Sequence, residues 1–131
     1  LMLFAHYEEA EDVWEWSPQF TPKEIACRGD GSLLVNPEAL DVLLRARLLA
    51  DRPFRILSAY RSPRHNALVG GAPKSAHKDG IAFDIALAGH EPDELLAVCR
   101  AAGFGSFGKY NTFLHVDLRK GRRWGKWKGD N

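Results

Sequence analysis

The sequence is poor in cysteine, nearly free of net charge and without a long apolar run, and each absence excludes something. Two cysteines, Cys27 and Cys99, in 131 residues are too few for a disulfide scaffold, and they do not form a short metal-ligand pair. They are either one bridge or two buried thiols. A formal net charge of +1 with 45% hydrophobic and 27% charged residues excludes a disordered chain, which needs fewer apolar residues and more net charge. No apolar run approaches the ~20 residues of a membrane span, so no membrane partner is expected. The opening Leu1-Met2-Leu3-Phe4-Ala5 is followed at once by His6, Glu8 and Glu9. That pattern has neither the basic start nor the apolar length of a signal peptide, so export would rest on a signal already removed or on another route. No internal repeat, low-complexity segment or linker interrupts the chain. Residues 1–131 are therefore expected to form one domain, long enough to bury a core without staples.

Charge is nevertheless uneven. Arg119, Lys120, Arg122, Arg123, Lys126 and Lys128 crowd the C-terminal stretch around Trp124 and Trp127. One reading is a surface for nucleic acid or an anionic wall polymer. The plainer and favoured reading is a solvated end whose tryptophans pack on the domain, with no nucleic-acid partner.

Local patterns place the elements. Thr21-Pro22-Lys23-Glu24 is a helix start with a capping box, Thr21 as cap and Glu24 reaching back. Cys27 to Leu34 is a loop. Asn36-Pro37-Glu38 opens the best helix, with Leu40, Leu43, Leu44 and Leu48 at helical spacing, ended by Asp51-Arg52-Pro53. Phe54 to Tyr60 is expected to be a strand, and Ser62-Pro63 starts a short helical turn that Gly70-Gly71 ends. Ile81 to Leu87 is a second strand, Pro92 to Ala102 a helix stopped by Gly103, and Thr112 to Leu118 a last strand. Few strands alternating irregularly with helices define an α+β class.

The chemistry gathers on the two later strands. In Ile81-Ala82-Phe83-Asp84-Ile85-Ala86-Leu87, alternation sends the large apolar residues to one face and Asp84 to the other. A buried carboxylate there needs a cation or several donors, either a metal or an arginine such as Arg61. In the last strand Leu114, Val116 and Leu118 form the apolar face while Phe113, His115 and Asp117 share the opposite one. His77 lies in a loop seven residues before Asp84. Two histidines and a carboxylate are a typical protein set for catalytic zinc, leaving a fourth position for water. Of the other histidines, His6 lies in an uncertain segment, His90 reads as surface, and His65 is placed to approach the site from the first strand's end.

These residues also carry a resemblance. Ser75-Ala76-His77, six residues, then Asp84, with Gly80 between, resembles the Ser-x-His…Gly-x-x-x-Asp motif of the zinc D-alanyl-D-alanine carboxypeptidase family. Ser58-Ala59-Tyr60-Arg61-Ser62-Pro63 and Asn66-Ala67-Leu68-Val69-Gly70-Gly71-Ala72 are similar to its Tyr-Arg-Ser and Gly-Gly segments. Phe113-Leu114-His115-Val116-Asp117 looks like its closing His motif. The likeness runs from about Phe20 to Trp124 with the motifs in order.

The resemblance implies a Hedgehog/DD-peptidase-like fold, a small antiparallel sheet flanked by helices. It implies one zinc ion on His77, Asp84 and His115, Arg61 on the substrate carbonyl or developing oxyanion, and Ser75 lining the substrate pocket. The expected activity is hydrolysis of peptidoglycan stem peptides, as a D,D-carboxypeptidase, D,D-endopeptidase or L-Ala-D-Glu endopeptidase of the endolysin kind. The setting would be a monomer in the periplasm or outside the cell, at the wall, or encoded by a phage or prophage. A non-catalytic zinc-binding module of the same fold is the alternative.

One departure bears on mechanism. Many family members carry an acid three residues before the last zinc histidine, where this chain has Thr112. Asp117 is the nearest acid, two strand residues or roughly 6–7 Å from His115. Its expected role is general base, or else a hydrogen bond that holds a ligand histidine. His65 and then Asp79 are the remaining candidates for the base.

Overall fold

Each α-helix in the described part of the chain starts on a proline placed after a capping side chain. The computed structural model describes residues 1–130. In α1 (Pro22–Ile25), Thr21 accepts from the Glu24 amide while Glu24 accepts from the Thr21 amide, which completes the expected box. Asn36 caps α2 (Pro37–Ala50), Ser62 caps α3 (Pro63–Leu68), and Glu91 accepts two amides at the start of α4 (Pro92–Ala102). Proline lacks only an N–H that a first turn leaves unpaired anyway, and its fixed φ suits the helix.

Strands β1 (Met2–Phe4) and β2 (Leu33–Val35) pair antiparallel as a small ribbon. The main sheet has the order β3-β4-β6-β5-β7, from β3 (Ile56–Ser58), β4 (Ala82–Ala86), β5 (Ser106–Lys109), β6 (Phe113–Asp117) and β7 (Arg123–Gly125). It is antiparallel from β3 to β5, as expected. The edge strand β7 then runs parallel to β5, so the whole sheet is mixed. The class is α+β.

One face of the sheet carries Phe83, Ile85, Phe107, Leu114 and Val116 into the core, against α2 and α4. The buried face of α2 carries Ala39, Leu40, Val42, Leu43 and Ala46, with Leu44 partly buried against the core, so the expected face departs only at the helix's C-terminal end. Leu48 and Leu49 are exposed, while Arg45 reaches the Ala102 carbonyl at 2.6 Å and ties the helix to the end of α4. Cys27 and Cys99 are two separate buried thiols, with the Cys27 Sγ beside the Ser62 hydroxyl at 3.6 Å. The basic C-terminal stretch is only partly the solvated end expected. Trp127 does pack on the domain, but residues 123–125 add a strand to the sheet. Among the described residues, no helix is long and apolar enough to cross a membrane.

Candidate metal centre

The opposite face of the sheet carries the polar residues. Asp84 at the middle of β4 is paired in register with His115 of β6, so the two side chains rise from neighbouring strands on one face. His77 comes from outside the sheet, in a 3-10 turn over Ala76–Asp79. The turn is fixed at both ends. Ser75 Oγ accepts from the His77 amide at 3.3 Å, and Gly80 takes φ +70°, a conformation that favours glycine. The Arg61 amide also donates to the His77 carbonyl at 3.2 Å, joining the turn to the residue after β3.

Three ligating atoms converge there. His77, Asp84 and His115 are all buried and each offers an atom within 4.8 Å of the others. His77 Nε2 lies 3.2 Å and His115 Nδ1 3.0 Å from the same oxygen of Asp84. The far side of each ring fixes its tautomer. His77 Nδ1 is 2.7 Å from the Ala59 carbonyl, which can only accept, so that nitrogen carries the hydrogen. His115 Nε2 is 2.8 Å from Asp117 Oδ2 and carries its hydrogen for the same reason. In neutral rings the inward nitrogens are then bare lone pairs, facing a carboxylate oxygen. His77 Nε2 is buried without an aligned hydrogen-bond partner. One proton would relieve a single pair of acceptors, whereas one metal ion satisfies all three. The residues fit a divalent metal, and the N/N/O set with room for a further ligand suits zinc.

The charges agree with the geometry. Burial alone would raise the Asp84 carboxyl, but the imidazoles of His115 and His77 beside it outweigh that and hold the group down at about 2. Burial alone would lower His115, yet its hydrogen bonds to Asp117 and Asp84 prevail and raise it. The acidic pair therefore favours positive charge beside His115, whether a proton or a metal ion on Nδ1.

Asp117 is not presented to substrate as the sequence led us to expect of a base. It is fully buried. Its Oδ2 accepts from His115 Nε2 and from Arg119 Nη2 at 2.7 Å, and its Oδ1 accepts from the Arg119 amide and Nε at 2.8 and 3.1 Å. Burial would raise this carboxyl too, but His115 and Arg119 hold it at about 2. The arrangement matches the other role considered for it, a carboxylate holding a ligand histidine. His65 is likewise directed elsewhere. It lies over Gly29 and lines a separate hollow with Asp30, Arg64 and Leu68. Asp79 and Thr112 are exposed and do not line the cavity around the three ligands.

That cavity has a volume of about 380 Å³. Arg61, Lys74 and Arg119 bring positive charge to it, and among the described residues Asp84 is the only carboxylate lining it. Arg61 is held by Asn66, whose Oδ1 accepts from Nη1 at 3.0 Å, while Asn66 Nδ2 donates to the Ala72 carbonyl. The Gly-Gly pair explains itself here. Gly70 takes φ +72°, and a Cβ on Gly71 would sit 2.1 Å from Asn66 Oδ1 and 2.7 Å from Arg61 Nη1. Ser75 lines the cavity as well as capping its turn.

Sequence reasoning put Phe113 on the His115 face but missed Tyr110 and Trp124, which complete an aromatic wall, together with Arg119. Arg119 carried a signal, since it continues the alternation His115, Asp117, Arg119 along one strand face. Trp124 did not, because its place depends on β7 joining the sheet.

A mixed α+β domain with a buried His-Asp-His group at the floor of a cationic cavity defines a metallopeptidase-type centre. The family model described as Peptidase M15 matches residues 18–117, and the chain belongs to that family, the zinc D-Ala-D-Ala carboxypeptidase-like peptidases. A search of curated proteins gave no match.

Proposed function

We propose that this peptidase holds one zinc ion on His77 Nε2, Asp84 and His115 Nδ1 and cleaves peptide bonds in peptidoglycan stem peptides. The observation that carries the reading is the meeting of three metal-ready acceptors with Arg61, Lys74 and Arg119 in one cavity. Stem peptides offer free carboxylates and D-residues, and a cavity whose only carboxylate among the described residues is a metal ligand suits an anionic peptide. The D,D-carboxypeptidase, D,D-endopeptidase and L-Ala-D-Glu endopeptidase reactions all meet that description. A monomer working at the cell wall, in the periplasm, outside the cell or as a phage-encoded lysin, is the corresponding setting.

Zinc in such a site supplies Lewis acidity, polarising the scissile carbonyl and acidifying water. The chain's own residues supply the rest. Asp117 accepts the Nε2 hydrogen of His115 and so keeps Nδ1 bare for the metal. Asn66 holds Arg61 by one nitrogen, leaving the rest of the guanidinium to bind the substrate carbonyl and stabilise negative charge as it develops. Ser75 fixes the turn that presents His77 and borders the space for substrate. Asp117 thus acts through His115 rather than on substrate.

The test is direct. Purified protein with one equivalent of zinc is incubated with sacculi and with synthetic stem peptides, and the products are identified by mass spectrometry. Cleavage that stops with chelator and returns with zinc is expected, and the product masses name the bond. Full zinc occupancy with every stem-peptide bond intact would sink the reading.

A further inference from the structure

The turn between β5 and β6 brings a phenol to the cavity at the point where Thr112 turns away. The Tyr110 amide donates to the Phe113 carbonyl at 3.1 Å, closing a tight turn. Asn111 and Thr112 lie exposed at its tip, while Tyr110, itself 40% exposed, and Phe113 both line the cavity. Their rings stack, with centroids 4.3 Å apart and planes 10° from parallel.

Trp124 fixes the hydroxyl. Its Nε1 donates to Tyr110 Oη at 2.9 Å, while its ring sits 5.0 Å from that of His115. The indole can lie there because its neighbour across the sheet is Gly108. A Cβ at that position would come within 2.3 Å of the Trp124 ring. An indole N–H only donates, so the phenol oxygen is the acceptor in this bond. The Tyr110 hydrogen is then left to point elsewhere, and no acceptor for it is present among the described residues. A hydroxyl so oriented, on the open wall of a cavity whose only carboxylate among the described residues is a metal ligand, keeps its hydrogen free for water or for a bound peptide.

We propose that Tyr110 binds the peptide substrate by donating its hydroxyl hydrogen to a substrate oxygen, a carboxylate or a peptide carbonyl, and that Trp124 is the positioning residue that sets this direction. The proposal rests on the peptidase reading of the same cavity. No proton leaves the phenol, and the bond is made and broken as the peptide enters and leaves.

The experiment compares zinc-loaded wild type, Tyr110→Phe, Trp124→Phe and the double variant on stem peptides with a free or an amidated C-terminus. Loss of one such bond lowers kcat/KM by roughly tenfold in Tyr110→Phe, with zinc stoichiometry and melting temperature unchanged. Trp124→Phe gives a smaller loss, and in the Tyr110→Phe background it costs almost nothing more, because both act on one bond. A loss confined to free-carboxylate peptides identifies the carboxylate as acceptor, and an equal loss on both identifies the carbonyl. Unchanged kinetics in Tyr110→Phe, or fully additive losses, overturn the proposal. The same comparison is made by calorimetric titration of peptide into each protein. A wild type that binds stem peptides without cleaving them counts against hydrolysis alone, and the binding series then judges Tyr110. A wild type that binds none of them overturns both readings.

Discussion

His115 and Asp117 are two residues apart on one strand, and the Nε2–H of the first donates to the carboxylate of the second at 2.8 Å. This bond decides which ring nitrogen faces the metal ligands. Asp117 is in turn held by the backbone amide and guanidinium of Arg119.

Asp117→Ala should therefore weaken zinc binding rather than abolish it, by about 10–100-fold. Competition with a chromophoric chelator measures this. Activity should return toward wild type when zinc is raised to saturate the variant. Activity that stays absent at full occupancy would instead point to Asp117 acting on substrate.

Asp84→Asn should remove stoichiometric zinc binding, because it takes away the charge that both imidazole lone pairs share. Wild-type protein should gain about 2.7 kcal/mol of stability when zinc is present at a hundred times its Kd. The variant should gain almost none in the same thermal scan. An equal zinc-dependent rise in Tm would place the ion elsewhere.

Gly71→Ala should lower kcat/KM roughly ten- to a hundredfold while zinc binding stays intact. The added methyl meets Asn66, which is buried and anchored to Ala72, as well as Arg61. Arg61 is therefore displaced while the three ligands, on other segments, are not. Steady-state kinetics beside a zinc titration separates the two effects.

The two thiols should react with an aromatic disulfide reagent only as the protein unfolds. Burial pushes the Cys99 thiol up to about 12, so its nucleophilic thiolate is scarce at neutral pH. Cys27 is also buried. Two equivalents should appear in denaturant without reductant, and slow or no reaction should be seen in native buffer. Fewer than two in denaturant would mean a disulfide.

The ligand set was legible because it lies on regular structure. Period-two alternation alone puts Asp84 and His115 on the polar face of their strands, and the family's motif spacing adds His77. Helix starts were legible for a related reason, since a capping side chain followed by proline is a local signal. What escaped depends on partners distant in sequence. Strands β1, β2, β5 and β7 span only 3, 3, 4 and 3 residues, too short for a period to show. β5 also lies in a glycine-punctuated stretch that reads as loop. Trp124 was taken for an end packed on the domain because nothing local indicates that residues 123–125 pair with β5. The sequence leaves Asp117 between general base and partner of a ligand histidine because spacing gives distance but not occupancy. Only the fold reveals that both its oxygens are already engaged.

The ligands Asp84 and His115 stand on β4 and β6, each flanked by strands on both sides, while Trp124 belongs to the edge strand and Tyr110 to a turn. Division of labour follows from that placement. Inner strands tolerate little change, because every alteration is felt by two neighbours and a packed core, whereas edges and turns accept exchange and insertion. The metal-ready residues thus stand on inner strands, and the residues proposed to meet a peptide stand on the edge strand and a turn.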